Sequence, residues 1–136
     1  MFGSDPSHAI KGTARWLLLA GCINGALAVI LGAVGAHALS GHVSGRYLAI
    51  YETGNSYHFY HSLALIGAGL VAIHVPASSW IKWAGGLMLA GIVLFSGSLY
   101  LLALTGQHWV GALAPVGGTS LIVSWILFAI AIARGK

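Results

Sequence analysis

Apolar residues run along this chain in four long blocks separated by short polar stretches, without the two-residue alternation of strands. Trp16 to Leu39 contains no charged residue, and Tyr57 to Val75, Ala84 to Leu104 and Val110 to Ala133 follow it. A helix that crosses a bilayer needs about 20 mostly apolar residues, because the hydrocarbon core is about 30 Å thick and each residue adds about 1.5 Å. The pattern therefore predicts an all-α fold of four transmembrane helices, spanning roughly 16–39, 57–75, 84–104 and 110–133. A β-barrel is excluded by block length and by the missing alternation.

The polar stretches order these helices. Ser40 to Ser56 joins the first pair and Pro76 to Trp83 the middle pair. Thr105-Gly106-Gln107-His108 is so short that the last two helices must form an antiparallel hairpin. Antiparallel neighbours in a single bundle are expected over residues 14–136, preceded by a short, loosely ordered tail over residues 1–13. Pro115 leaves two readings of the fourth block open. It either kinks a helix that starts near Trp109 or stands in the first turn of one that starts beside it.

Composition strengthens the membrane reading. Of 136 residues, 58% are hydrophobic and 6% charged. A soluble domain carries about 25% charged residues. The mean hydropathy is +0.90. The net charge of +4 does not indicate nucleic acid, because the cations stand singly instead of in a patch. They do mark a side. Lys11, Arg15, Lys82, Arg134 and Lys136 flank the ends that four spans would place together, and only Arg46 flanks the opposite ends. Positive residues favour the cytoplasmic side, so both termini are expected there, in a cell inner membrane. Trp16, Trp80, Trp83 and Trp109 stand at span ends, where indole rings favour the headgroup level.

Cys22 is the sole cysteine, which excludes an intrachain disulfide and a Cys-based metal site. Leu19-Ala20-Gly21-Cys22 and Ala36-His37-Ala38 look like processing sites. The first has too short an apolar run before it and the second too long a one, so the first span is expected to stay and Cys22 to be a small buried hydrophobe.

Lipid tails are as apolar as leucine, so helices in a membrane associate through close packing of small residues and through hydrogen bonds. Gly21, Gly25, Ala28, Gly32 and Gly35 alternate at spacings of four and three and form one stripe on the first span. Gly86, Gly97, Gly117 and Gly118 are assigned the same packing role.

Polar side chains gather in the half of each span opposite the basic ends. They are His37 on the first, Glu52, Asn55, Tyr57, His58 and His61 on the second, Ser96, Ser98 and Tyr100 on the third, and Thr119, Ser120 and Ser124 on the fourth. His58 and His61 are three apart and are expected to share a helix face. Glu52, the only acid outside the tail, is placed to orient a histidine or to pair with Arg46. Such a set would suit structural hydrogen bonding, proton or small-solute handling, or ligation of haem or a metal through His37 and His61. Two histidines without fixed ligand spacing assign no metal and no cofactor. No nucleophile elbow, phosphate loop or carboxylate pair is present, so no enzyme activity is expected.

Several segments carry a resemblance. They are Gly32-Ala33-Val34-Gly35-Ala36-His37, Tyr57-His58-Phe59-Tyr60-His61-Ser62-Leu63-Ala64-Leu65, Phe95-Ser96-Gly97-Ser98-Leu99-Tyr100 and Pro115-Val116-Gly117-Gly118. Over about residues 14–134 the chain resembles the YgdD/YwdK-like family of small bacterial inner-membrane proteins of unknown function. The resemblance implies four transmembrane helices and no established activity. It also implies histidine at positions 37 and 61, whereas other members can carry glutamine at the position of His58. The functional expectation is an accessory or interaction subunit in the lipid bilayer, packing against further copies of itself or other membrane subunits. A solute or proton pathway is the alternative, and haem or metal binding the second alternative.

Overall fold

The computed structural model describes residues 9–135, and every regular element among them is helical. Helix α1 covers Gly12–Leu39, α2 Gly45–His74, α3 Ser79–Thr105 and α4 His108–Arg134. The last turn of α1, Gly35–Leu39, widens into a π-turn, as does Ile92–Ser96 in the middle of α3.

Local chemistry sets the boundaries. Ser44 caps α2 by accepting the Tyr47 N–H at 3.3 Å, and Ser78 caps α3 by accepting the Ile81 N–H at 3.4 Å. Each cap lies well upstream of the start that hydropathy predicts. The connection expected over Ser40 to Ser56 is thus mostly the first three turns of α2, and that over Pro76 to Trp83 shrinks to four residues, Val75 to Ser78. Gly54-Asn55-Ser56 falls in the expected connection, but packing holds it helical: Gly54 lies against Ser96 and Leu99 of α3. Gly106, at φ +69°, ends α3 in a left-handed conformation that glycine adopts without a Cβ penalty. Pro115 stands in the first turn of the regular helix Ala114–Arg134, where its missing N–H is harmless, and the single turn His108–Gly111 precedes it. Of the expected tail, residues 1–8 lie outside the described residues; α1 already begins at Gly12, with Thr13 and Ala14 buried.

Helices α1, α3 and α4 are long and apolar enough to cross a membrane. Helix α2 is longer, at 30 residues, but its own polar side chains make it less apolar than the span expected there. It is compensated by position. Helix α2 lies between α1 and α3 and contributes the buried Tyr51, His58, His61, Ser62, Leu65 and Ala68. Helix α4 lies mainly against α3. The outward faces of α1 and α4 expose Leu19, Ile23, Val29, Ile122, Ile126 and Ile132.

Glycines set the helix separations. A Cβ on Gly21 would lie 2.6 Å from Ile66 Cγ1, and one on Gly35 2.7 Å from the Tyr51 ring, so α1 and α2 touch along this stripe. Gly25 is looser, 3.9 Å from Ser62 Cβ. A Cβ on Gly117 would strike the backbone of Leu94 and Phe95, whereas Gly118 has ordinary contact with the Phe95 ring at 3.7 Å. Gly86 and Gly97 depart from expectation, since a Cβ on either would meet nothing within 4 Å. Their packing role falls to Gly85 and Gly91, one against Leu17 of α1 and the other against Leu121 of α4. Cys22 likewise is exposed on α1, because its neighbour Gly21 holds the face turned to α2.

Candidate functional site

Tyr51, Asn55 and His58 follow one another at spacings of four and three, so α2 presents them on one face. That face meets α1 and α3. Asn24 of α1 donates from Nδ2 to the Ala20 carbonyl at 2.8 Å, which turns its amide oxygen toward His58. That oxygen only accepts, so His58 Nε2 carries the hydrogen and donates across 3.0 Å. His58 Nδ1 must then accept, and the Tyr100 hydroxyl donates to it at 3.0 Å. The Tyr100 oxygen accepts from Asn55 Nδ2 at 3.1 Å, and the second hydrogen of that amide goes to the Ala28 carbonyl at 2.8 Å. Tyr51 donates to the Leu31 carbonyl at 2.6 Å, and its ring sits 4.9 Å from that of Tyr100. A single ordered chain of neutral donors and acceptors therefore ties α1, α2 and α3 together.

His61 belongs to a different interface. Its Nδ1–H donates to the Tyr57 carbonyl at 2.7 Å, and its Nε2 accepts the Trp125 indole N–H at 3.0 Å. Tyr57 stacks on the His61 ring at 6.0 Å and packs on Phe95 at 4.8 Å. The expectation of a shared face for His58 and His61 is corrected here. Three residues fall about 60° short of a full helical turn, and that offset sends one ring toward α1 and α3 and the other toward α4. Both are buried, His58 4% and His61 5% exposed, and both rings have both nitrogens engaged.

The remaining predicted residues scatter. His37 is exposed in the terminal π-turn of α1. His61 lies close to the level of Gly25, whose Cβ position meets Ser62, so His37 is roughly 18 Å further along the axis. The two cannot ligate one haem, and His61 has no free lone pair to offer. Glu52 is also exposed, and among the described residues it forms no ion pair and orients no histidine. It neighbours Tyr51, and at this turn of α2 it is the Tyr51 side chain that takes the inward position. No group of three or more metal-binding side chains occurs among the described residues. Ser98 bonds within its own helix to the Phe95 carbonyl, Ser120 donates to the Leu87 carbonyl of α3 at 2.8 Å, and Thr119 and Ser124 bond within α4. Ser96 Oγ, in the π-turn of α3, is buried without a hydrogen-bond partner.

Asn24, Tyr51 and Trp125 join the site without having been singled out from sequence. Asn24 had a signal: it and His37 are the only strongly polar side chains in the block from Trp16 to Leu39. Tyr51 and Trp125 had none, since aromatic residues near or inside apolar blocks read as packing.

Two hollows adjoin the site. One of 300 Å³ lies over Tyr57, His61, Phe95, Leu121 and Trp125, between α2, α3 and α4. The other, of 280 Å³, opens between α1 and α3 over Asn24, His58 and Tyr100. A third, of 390 Å³, lies at the basic end beside Trp80 and Arg134, whose guanidinium is 5.3 Å from the indole centroid.

Comparison with known proteins places this sequence in a family. Residues 31–118 match the family model described as "Protein of unknown function (DUF423)". The chain is 44% identical over 117 residues to the UPF0382 membrane protein YwdK of Bacillus subtilis, covering 86% of this chain and 95% of that protein. It is 42% identical over 117 residues to the UPF0382 membrane protein SAB0533 of Staphylococcus aureus, covering 86% and 94%. It is 43% identical over 114 residues to SERP0230 of Staphylococcus epidermidis, covering 84% and 92%. No solved structure matches the chain.

Proposed function

The chain belongs to the DUF423 family, and on that premise we propose that it is a multi-pass protein of the cell inner membrane that serves as an accessory subunit. In this reading all four helices cross the bilayer as one bundle of antiparallel neighbours, with both termini cytoplasmic. The lipid-facing sides of α1 and α4 pack against partner helices, from further copies of the chain or from another membrane subunit.

The observation that carries the reading is the closed hydrogen-bond inventory of the buried histidines. With both nitrogens of His58 and His61 engaged, taking up a proton, a solute or a metal would cost either ring a hydrogen bond it already makes. Function then falls to the exterior, where α1 and α4 carry large exposed apolar side chains. The location rests on the relatives, which are named membrane proteins, and on three helices apolar enough to span. The orientation rests on charge. Trp16 of α1 lies beside Gly85 of α3, and Trp80 lies beside Arg134, which gathers Arg15, Lys82 and Arg134 at one end. Arg46 stands at the other, and the more basic side is the cytoplasmic one.

A photo-crosslinking residue at Ile23 or Ile126 in native membranes tests the proposal. The expected result is a defined adduct with a second polypeptide. A chain that crosslinks only to lipid and purifies as a monomer would overturn it.

A further inference from the structure

We propose that the groove between α1 and α3 binds a neutral, membrane-soluble ring carbonyl compound of the quinone type, with Asn24 as its hydrogen-bond donor. This goes beyond the accessory role above and does not depend on it.

The groove has apolar walls, among them Leu27, Leu31 and Val93, over a floor of Asn24, His58 and Tyr100. The floor is not fully used. Asn24 Nδ2 spends one hydrogen on the Ala20 carbonyl and its oxygen accepts from His58, but its second amide hydrogen has no partner among the described residues. Asn24 stands near the middle of the 28-residue α1. At that depth of a bilayer no water shell is available, and an unpaired donor is costly. An occupant therefore has to arrive through lipid and bring an acceptor.

The rest of the groove defines that occupant further. No ionised side chain lines it, so the acceptor is neutral. Its 280 Å³ sits at the lower edge of small-molecule sites, roughly 300–1,000 Å³, which suits one ring and leaves the tail in lipid. Such a volume takes no helix. Gly97 keeps the wall open, because a Cβ there would meet nothing within 4 Å. The hollow over His61 lacks this feature: the Trp125 N–H and both His61 nitrogens are already spent.

The test is equilibrium binding of tritiated 2-prenyl-1,4-benzoquinone to the full-length protein in lipid nanodiscs. Saturable binding at one site per chain is expected, about ten-fold weaker for prenylbenzene, which has the tail and ring but no carbonyl. Gly97→Leu fills the groove without touching the polar floor and should abolish binding, whereas Gly86→Leu, also facing open space, should leave it unchanged. Asn24→Leu removes the donor and should weaken binding about ten-fold. Equal binding of prenylbenzene, or unchanged binding in the folded Gly97→Leu variant, would overturn the proposal. So would a disulfide between two copies carrying Val93→Cys, which would show the groove covered by a second chain.

Discussion

The α1–α2 interface and the α3–α4 interface both seat glycines on the neighbouring helix, and they differ in what is added to that contact. Between α1 and α2, side chains of one helix bond backbone or side chains of the other: Tyr51 to Leu31, Asn55 to Ala28 and His58 to Asn24. Between α3 and α4 a single bond crosses, from Ser120 to Leu87, and contact comes from Gly117 seated on the backbone of Leu94 and Phe95 and Gly91 seated on Leu121. Leucine gains little by leaving lipid, so these are the two routes open to helices in a membrane. They differ in how they fail. A hydrogen bond can be removed alone, while a backbone contact tolerates no added atom.

Four substitutions, read as stability to reversible unfolding in mixed SDS micelles by circular dichroism, would break or sharpen that contrast. The largest effect is expected for Gly117→Val, because the backbone it meets cannot rotate away; a loss of about 3 kcal/mol is expected. A loss below that of any hydrogen-bond variant would mean that α4 slides freely on α3. His58→Ala comes next, at about 2 kcal/mol, since it takes the partner from the Tyr100 O–H and from the Asn24 amide oxygen. The same variant should leave the α3–α4 contact intact, and equal loss of a crosslink between those helices would contradict the separation. Tyr51→Phe keeps the ring against Tyr100 and removes one bond, for about 0.6 kcal/mol. Ser96→Ala deletes a buried hydroxyl that has no partner, so stability should stay within about 0.5 kcal/mol or rise. A clear loss would reveal a bond at the α3 π-turn that the geometry does not contain.

Much of the helical layout was legible in the sequence. A span announces itself by the absence of groups that favour water, and α1, α3 and α4 follow the blocks within a few residues at most ends. Helix α2 was less legible. Its first three turns contain Gly54 and Asn55, which favour turns locally and become helical only because α1 and α3 pack on them. The site was legible as a set of polar residues but not as a geometry. His58 bonds Tyr100 whereas His61 turns to Trp125, and nothing in their spacing told which helix each ring would face. Glu52 looked important because it is the only acid outside the tail, and it proved to be exposed.

The sequence alone determined the solvent of this protein and the number of its long helices, because both follow from where polar groups are missing, a property that can be counted along the chain. It also determined which sides of the helices share their basic residues. Only the tertiary structure decided that His58 and His61 part company, that Gly85 and Gly91 pack in place of Gly86 and Gly97, and that one Asn24 amide hydrogen has no partner among the described residues. Those outcomes depend on the rotation of each helix about its axis. In a hydrocarbon solvent a weak amphipathic pattern does not fix that rotation; the fit of one helix against the next does.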